Sequence, residues 1–254
     1  MSTTLGIVEV GSIIASAEAN NSGSRAGRRL GGRSILEWVV RRVTDSHGLK
    51  QVVVVADQRD PRRHMINDLV PSDIPIYFGK QTDPLGRFAG AVKKYHADAV
   101  VRVSVDHPFV DPALIDRLLK VASHDQESEY ICFANSLNDR IAASRLGLFA
   151  EWCRADAIYR ADRDATDPRD RCEATRFIYT HPELHQLRIL PAPAALDRDD
   201  LRLAILSEDD WEHAEAILEA LGPEGLEWQS IAGLLDHQPQ IRQRMAHLNR
   251  CESV

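Results

Sequence analysis

The chain has 254 residues, of which 44% are hydrophobic and 27% are charged. This composition is typical of a globular protein and excludes intrinsic disorder, and the length suits one hydrophobic core, so we expect a single domain over residues 1–254. The net charge of −7 argues against nucleic acid or an anionic membrane as a partner, because both are bound by basic surfaces. No apolar run approaches the roughly 20 residues that cross a bilayer, and the N-terminal stretch lacks the basic start of a signal peptide. The 4 cysteines form no CxxC pair, so we expect a cytoplasmic protein with reduced thiols.

In the first half of the chain, predicted strands alternate with predicted helices. Continuous apolar runs predict the strands, which are Leu5–Val10 with a continuation at Ser12–Ala15, Gln51–Ala56, Ile74–Phe78 and Ala99–Val105. Apolar residues at a spacing of about 3.6 predict the helices, which are Ser34–Val43, Pro84–Tyr95 and Asp111–Ala122. Ser34 and Asp111 are expected to cap their helices. Strands and helices in this order form right-handed crossovers, so the sequence predicts an α/β fold with a mainly parallel sheet and helices on both faces.

The second half of the chain has a less regular pattern. Its predicted strands are Tyr130–Ala134, Phe177–Tyr179, Leu184–Leu190 and Leu201–Leu206. Its predicted helices are Phe149–Arg160 and Glu208–Leu221, and the charged segment Ala161–Arg171 is predicted to be a loop. Apolar residues within Glu227–Asn249 recur at helical spacing, so we expect residues 222–254 to end the chain as short helices packed on the body.

The ends of two predicted strands carry side chains suited to phosphate chemistry. In open parallel sheets, ligands bind at the carboxyl ends of the strands. The polar loop Ala19–Gly27 follows the first strand, and the arginines in and after it are Arg25, Arg28, Arg29 and Arg33. Arginines and free backbone amides suit a triphosphate. Asp106 lies directly after Ala99–Val105, and its carboxylate suits a divalent metal that bridges phosphates. Each feature taken alone is also typical of a solvated surface or of a turn cap.

Four segments in a fixed order carry a family resemblance. They are Ser24–Arg28 (SRAGR), Gly31–Glu37 (GGRSILE), Asp83–Phe88 (DPLGRF) and Ala97–Pro112 (ADAVVRVSVDHPFVDP). Together they resemble the cytidylyltransferases that activate sugars as CMP conjugates, especially the spore-coat polysaccharide (SpsF-like) branch. The segment Ala97–Pro112 is similar to that family's core strand and its metal-binding Gly-Asp-Asn-Pro turn. The resemblance implies a GT-A-like, Rossmann-type nucleotidyltransferase fold.

The resemblance also implies a reaction and a set of site residues. A hydroxyl or carboxylate of a sugar would attack the α-phosphate of CTP and release pyrophosphate, which depends on positioning and charge neutralisation rather than on a covalent nucleophile. Asp106 would hold Mg²⁺, and Arg25 and Arg28 would contact the β- and γ-phosphates. The other nucleotide-binding residues implied are Ser22 and Ser24, through loop amides, and Asp83 and Arg87, which would shape the pocket. By the same analogy we expect a homodimer, with residues 130–190 as its interface or as the acceptor site.

Several departures from the family pattern fall on residues that carry the chemistry. Ala15-Ser16 stands where the family has Ala-Arg, Arg28 stands at a lysine position, and His107 replaces the asparagine of the metal-binding turn. The later Arg-Glu-His-Val-Thr motif of the family corresponds to Arg171–Thr175, which lacks its Glu and His at those positions. The family's Gly-x-x-Val-Glu element has no counterpart near residues 142–148.

A further departure concerns the second metal ligand. Leu206 occupies the position of the family's second metal-binding aspartate, and leucine cannot coordinate Mg²⁺, so a site with two carboxylates would need Glu208 or Asp209 as a substitute. One hypothesis is a divergent cytidylyltransferase. Another is a protein that keeps the scaffold without the reaction and acts as a nucleotide- or sugar-binding or assembly partner. A glycosyltransferase is the weaker alternative, because no DxD motif follows the strand that ends at Val105.

Overall fold

Strands and helices alternate through most of the chain that the computed structural model describes, which is residues 3–11, 25–80, 82–135 and 146–251. The strands are β1 (Thr4–Glu9), β2 (Arg29–Leu30), β3 (Arg33–Ser34), β4 (Gln51–Asp57), β5 (Ile76–Gly79), β6 (Ala99–Ser104), β7 (Tyr130–Ala134), β8 (Glu151–Arg154) and β9 (Leu187–Pro191). The helices are α1 (Ile35–Thr44), α2 (Arg63–Leu69), α3 (Pro84–Lys94), α4 (Pro112–His124), α5 (Ala155–Asp164), α6 (Pro168–Arg171), α7 (Arg176–Thr180), α8 (Glu208–Leu221), α9 (Trp228–Asp236) and α10 (Pro239–Cys251). A 3-10 turn, Arg25–Gly27, precedes β2.

One sheet contains seven of these strands, in the spatial order β5-β4-β1-β6-β8-β7-β9. The strands β5, β4, β1 and β6 pair in parallel, and β7 pairs in parallel with β9. Strand β8 runs antiparallel to both of its neighbours, β6 and β7. The short strands β2 and β3 form a separate hairpin, whose turn residues Gly31 and Gly32 both have positive φ. The predicted α/β fold with a mainly parallel sheet is confirmed.

Apolar side chains cover both faces of the sheet. In β4, Val52 and Val54 pack into one layer and Val53 and Val55 into the other, because successive side chains of a strand point to opposite faces. Helices α1, α4, α8, α9 and α10 contribute to the first layer, and α3, α5 and α7 contribute to the second. The run of four valines in β4 therefore reflects burial on both sides. Within the described ranges, no helix has both the length and the apolar character that crossing a bilayer demands.

The predicted elements of the first half agree with the structure to within two residues at their ends. Ser34 caps α1 by accepting the backbone N–H of Glu37 at 3.0 Å. Asp111 caps α4 by accepting two backbone N–H groups, at 2.9 and 3.2 Å. The predicted continuation of the first strand at Ser12–Ala15 lies outside the described residues. Helix α2 and the β2–β3 hairpin are elements that the sequence pattern does not indicate.

Some predictions for the second half are wrong in the type of element. The predicted helix Phe149–Arg160 begins as strand β8 and becomes helix α5 only from Ala155. The predicted strand Phe177–Tyr179 is part of helix α7, and the predicted loop Ala161–Arg171 is helical at both of its ends. Short apolar runs have the same appearance in a buried strand and in a buried helix, so their periodicity cannot separate the two.

The segment 201–206 is not the strand that the sequence predicts. Its residues 201–205 are buried, but their backbone hydrogen bonds go to two different partners. The N–H of Leu203 donates to the carbonyl of Leu146 at 3.1 Å, and the N–H of Ile205 donates to the carbonyl of Asp106 at 2.8 Å. The segment pairs with none of the strands that the structure describes, and its backbone is irregular. The second hydrogen bond places it against the end of β6.

We predict that Gly147 is required for this arrangement. Its φ is +72°, and a Cβ at this position would lie 2.3 Å from the backbone nitrogen of Ala204. The substitution Gly147→Ala should lower the free energy of unfolding by more than about 3 kcal/mol, because backbone strain and a backbone collision add. Gly222→Ala is the matched control, since φ is +70° there and nothing lies within 4 Å of the new Cβ. Denaturant unfolding measures both, and equal losses at the two positions would contradict the prediction.

Candidate functional site

The carboxyl ends of four parallel strands meet at one edge of the sheet, which we call the carboxyl edge. Strand β1 ends at Glu9, β4 ends at Asp57, and Asp106 follows the end of β6. The backbone N–H of Val105 donates to the carbonyl of Glu9 at 3.0 Å, so the ends of β1 and β6 are direct neighbours. Ligands of open parallel sheets bind at such an edge. The structure therefore gathers polar strand ends where the sequence predicts the site.

Asp106 lies half-buried in the turn that follows β6. Its backbone N–H lies 3.3 Å from Oγ of Ser104, and that oxygen lies 3.5 Å from Oδ2 of Asp106. The carbonyl of Asp106 accepts the N–H of Ile205, and the turn closes with a hydrogen bond of 3.1 Å from Val110 N–H to the His107 carbonyl. The carboxylate that the sequence predicts as the metal ligand thus stands at the carboxyl edge.

A buried ion pair fixes the chain between Ile205 and helix α8. Nε of Arg202 donates to Oδ1 of Asp210 at 2.6 Å, and both side chains are about 1% exposed. The same carboxylate accepts the N–H groups of Leu206 and Ser207, and Ser207 caps α8 in return. A buried charge pair is tolerated when its other hydrogen-bonding groups are also satisfied. Leu206, whose side chain is exposed, and the start of α8 are therefore held in one arrangement.

The guanidinium of Arg28 is engaged by a carboxylate at the start of α8. Nη1 of Arg28 donates to Oε2 of Glu208 at 2.5 Å, and Nη2 donates to Oε1. The guanidinium also lies over the ring of Trp211, 3.8 Å from its centroid. The hydrogen bond with Glu208 raises the pKa of Arg28, and the same bond lowers the pKa of Glu208. The arginine that the sequence predicts for phosphate contact is thus already paired with an acidic group.

The remaining residues predicted to contact phosphates lie at the border of the described chain. Arg25 begins the 3-10 turn that leads into Arg28. That turn packs on α2, where a Cβ at Gly27 would lie 2.9 Å from Sδ of Met65. Ser22 and Ser24 lie outside the described residues, so their contact with a nucleotide stays a prediction.

Asp83 and Arg87 join helix α3 to neighbouring elements. Asp83 caps α3 by accepting a backbone N–H at 2.8 Å, and Nη2 of Arg171 lies 3.0 Å from its carboxylate. Arg87 is buried, donates to the Thr82 carbonyl at 3.2 Å and lies 3.4 Å from Oδ2 of Asp57. These contacts connect α3 with α6 and with the end of β4. That the two side chains also shape a nucleotide pocket stays a prediction.

Sequence reasoning missed a charge network centred on Arg102. Nε of Arg102 donates to Glu9 at 2.8 Å, Nη1 donates to Glu151 at 3.1 Å, and Glu173 lies 3.6 Å away. Burial alone would lower the pKa of Arg102, but the three carboxylates raise it well above its ordinary value. The available signal was an arginine inside the valine run of β6, because a charged side chain in a strand covered on both faces needs buried partners.

His107, next to Asp106, is held in its neutral form. Its side chain is buried, and no other described residue forms a hydrogen bond with Nδ1. Burial, and after it the positive charge of Arg102, lower the pKa of His107 to about 4, although the Phe149 backbone and Glu173 act in the opposite direction. The residue that replaces the family's asparagine therefore adds no positive charge to the carboxyl edge near neutral pH.

The carboxylates of the described chain fit a Mg²⁺ ion only when nucleotide phosphates supply the rest of its ligands. Within the described ranges, no three His, Cys, Asp or Glu side chains are grouped so that they could hold a metal ion. Mg²⁺ is commonly bound through one or two carboxylates together with substrate phosphates and water. Asp106 therefore fits a metal ion that arrives on nucleotide phosphates, and the described residues do not fit one that the protein holds by itself.

Comparisons with known proteins agree with the fold. Residues 21–216 match the family model of the MobA-like NTP transferase domain. The uncharacterized protein MJ1063 of Methanocaldococcus jannaschii is 26% identical over 214 residues, which are 84% of each chain. The spore coat polysaccharide biosynthesis protein SpsF of Bacillus subtilis is 24% identical over 200 residues, which are 77% of this chain and 80% of SpsF. The structure of a cytidylyltransferase from Leptospira borgpetersenii has a TM-score of 0.82 at 17% identity, covering 96% of this chain and 98% of that one.

The fold and the polar carboxyl edge define a nucleotidyltransferase-type α/β protein. Because the matched residues 21–216 span most of its length, the chain belongs to the family of MobA-like NTP transferase domains. The resemblance to the cytidylyltransferases and to their SpsF-like branch is confirmed by a relative and by a structural neighbour.

We predict that His107 makes the stability of the protein depend on pH. Below its ordinary pKa of 6.5 the unfolded chain protonates this histidine, whereas the folded protein keeps it neutral down to about 4. The folded state therefore loses stability as the pH falls from 6.5 to 4, by up to about 3 kcal/mol. His107→Asn should flatten the dependence of the free energy of unfolding on pH in this window. His64→Asn, at an exposed position of α2, should keep the wild-type slope, and identical slopes in all three proteins would refute the prediction.

Proposed function

We propose that this protein is a divergent cytidylyltransferase, which transfers CMP from CTP to a sugar or sugar acid and releases pyrophosphate. One observation carries the proposal. The segment 205–208 connects the two residues to which the sequence assigns metal and phosphate binding, because Ile205 is hydrogen-bonded to Asp106 and Glu208 is hydrogen-bonded to Arg28. The nucleotidyltransferase fold, the relation to SpsF and the likeness to a cytidylyltransferase support the choice of reaction.

The proposed reaction is a substitution at the α-phosphorus of CTP. A bond forms between a sugar oxygen and the α-phosphorus while the bond to the bridging oxygen of the β-phosphate breaks. Pyrophosphate leaves with the electron pair, and a hydroxyl acceptor gives its proton to water. Such chemistry depends on alignment and on neutralising the charge that develops on the phosphates.

The residues of the carboxyl edge have separate tasks in this proposal. Arg25 and Arg28 bind the β- and γ-phosphates, where the planar fork of an arginine matches two phosphate oxygens. Asp106 would hold Mg²⁺ on the nucleotide, and the bound ion would supply positive charge that neutralises the phosphates. Asp83 and Arg87 shape the side of the pocket formed by α3, and the loop amides near Ser22 and Ser24 bind the nucleotide.

We predict that CTP binds in a magnesium-dependent manner and that Asp106→Ala abolishes this dependence. Removing the carboxylate should weaken binding of CTP with Mg²⁺ at least about tenfold, or by about 1.4 kcal/mol, and leave metal-free binding unchanged. Asp68→Asn, at an exposed position of α2, is the control for loss of one acidic charge. Calorimetric titration with CTP, CMP and the other nucleoside triphosphates measures this response.

The outcomes of that titration separate the hypotheses. Magnesium-dependent binding of CTP followed by release of pyrophosphate with a sugar acceptor supports the transferase. CTP binding without release of pyrophosphate from any sugar in an acceptor panel favours a protein that keeps the scaffold and the nucleotide but not the reaction. Absence of binding for every nucleotide refutes the proposed function.

We also propose a homodimer whose interface lies within residues 130–190. Two large apolar side chains of this region are exposed, Tyr159 at 37% and Leu184 at 57%. Light scattering should give twice the chain mass of 28.4 kDa. The double variant Tyr159→Glu with Leu184→Glu should shift the mass towards that of one chain, because burying charge at an interface is unfavourable. A wild-type mass of 28.4 kDa would contradict the prediction.

A further inference from the structure

The contact between Arg28 and Glu208 resembles the way in which an arginine binds a phosphate group. Two guanidinium nitrogens face two carboxylate oxygens, and this paired geometry is the one that arginine uses for carboxylates and phosphates alike. The ring of Trp211, which is 3% exposed, supports the guanidinium from one side at 3.8 Å. The site for an anion is thus formed, and the anion that occupies it belongs to the chain itself.

The occupying carboxylate can leave without disturbing the fold. The side chain of Glu208 is 67% exposed and that of Arg28 is 29% exposed, so water screens the pair and it contributes little to the stability of the fold. Glu208 is the first residue of α8, and the helix start is held independently by Ser207 and Asp210. A polyphosphate carries more negative charge than one carboxylate, so it can compete for the same guanidinium.

A released Glu208 would remain close to Asp106. Ile205 is hydrogen-bonded to Asp106, and the three residues from Ile205 to Glu208 span at most about 10 Å. The side chain of Leu206, the exposed residue between them, has no group that could bind a cation. Asp209 lines a cavity together with residues of α10 such as Gln240 and Arg244. Glu208 is therefore the acidic side chain of this segment that can serve the carboxyl edge.

We infer that Glu208 has two alternative partners: the guanidinium of Arg28 in the free protein, and the nucleotide-bound Mg²⁺ beside Asp106 once a polyphosphate occupies Arg28. The exchange supplies the second carboxylate that Leu206 does not provide. It rests on the proposed function in assigning phosphates to Arg28. In the free protein, the same glutamate keeps the arginine oriented and prevents other small anions from taking its place.

The test uses inorganic tripolyphosphate as the probe, with and without Mg²⁺. In the absence of metal, Glu208→Gln should bind tripolyphosphate about two- to fivefold more tightly than the wild type, because an internal competitor has been removed. In the wild type, Mg²⁺ should increase the affinity for tripolyphosphate. In Glu208→Gln this increase should be smaller by about tenfold or more. Calorimetry measures both affinities. Quenching of Trp211 fluorescence reports that Arg28 has released Glu208, and comparison with Trp211→Phe identifies the signal of this tryptophan.

Glu219→Gln is the matched control, because it removes one acidic charge from an exposed position further along α8. It should leave both affinities at their wild-type values. The inference would be overturned if Glu208→Gln left the metal-free affinity for tripolyphosphate unchanged. It would also be overturned if the variant bound tripolyphosphate more tightly without metal but responded to Mg²⁺ as strongly as the wild type. The outcome is distinguishable from that of the proposed function, since tripolyphosphate has neither base nor sugar. Expected responses to tripolyphosphate without any binding of CTP would sustain the exchange and refute the cytidylyltransferase.

Discussion

The sheet of this protein is covered on both faces, and that constraint decides where charged groups can stand. In β4 and β1 the side chains that face either helical layer are apolar until the last residue, which is Asp57 or Glu9. An unpaired charge in the middle of such a strand would lose its hydration without compensation. Polar chemistry is therefore confined to the strand ends, and because these strands are parallel, their ends meet at one edge. The site follows from the packing of the core.

Arg102 is the exception within β6, and its surroundings show what the exception requires. Glu9, Glu151 and Glu173 come from three different elements to face one guanidinium. Removing one partner of such a network destabilises the fold, because the other charges are left buried and uncompensated. The network also leaves an excess of acidic groups beside Asp106, because three carboxylates meet one arginine and His107 stays neutral. The part of the carboxyl edge next to Arg102 is therefore more negative than the part where Arg28 lies.

Sequence reasoning identified the fold class and the strand end at Asp106 because both depend on local patterns. The alternation of valine-rich runs with amphipathic helices determines the sheet, and a polar residue after such a run marks a strand end. Contacts between residues that are far apart in the chain do not follow from such local patterns. Nothing in the sequence around Arg28 indicates that Glu208, 180 residues away, pairs with it. The same holds for residues 201–206, where an apolar run indicates burial but not that its hydrogen bonds are divided between Leu146 and Asp106.

Strand β8 is antiparallel to its neighbours, and its direction determines at which edge of the sheet the chain passes from β7 to β8. Because β7 runs with β6 and β8 runs against them, the chain leaves β7 and enters β8 at the carboxyl edge. A change in chain length between Ala134 and Glu151 would therefore alter a connection whose two ends lie at the carboxyl edge, while β7 with β9 and β8 with β6 keep their register. One reversed strand thus brings both ends of this connection to the edge where the candidate site lies.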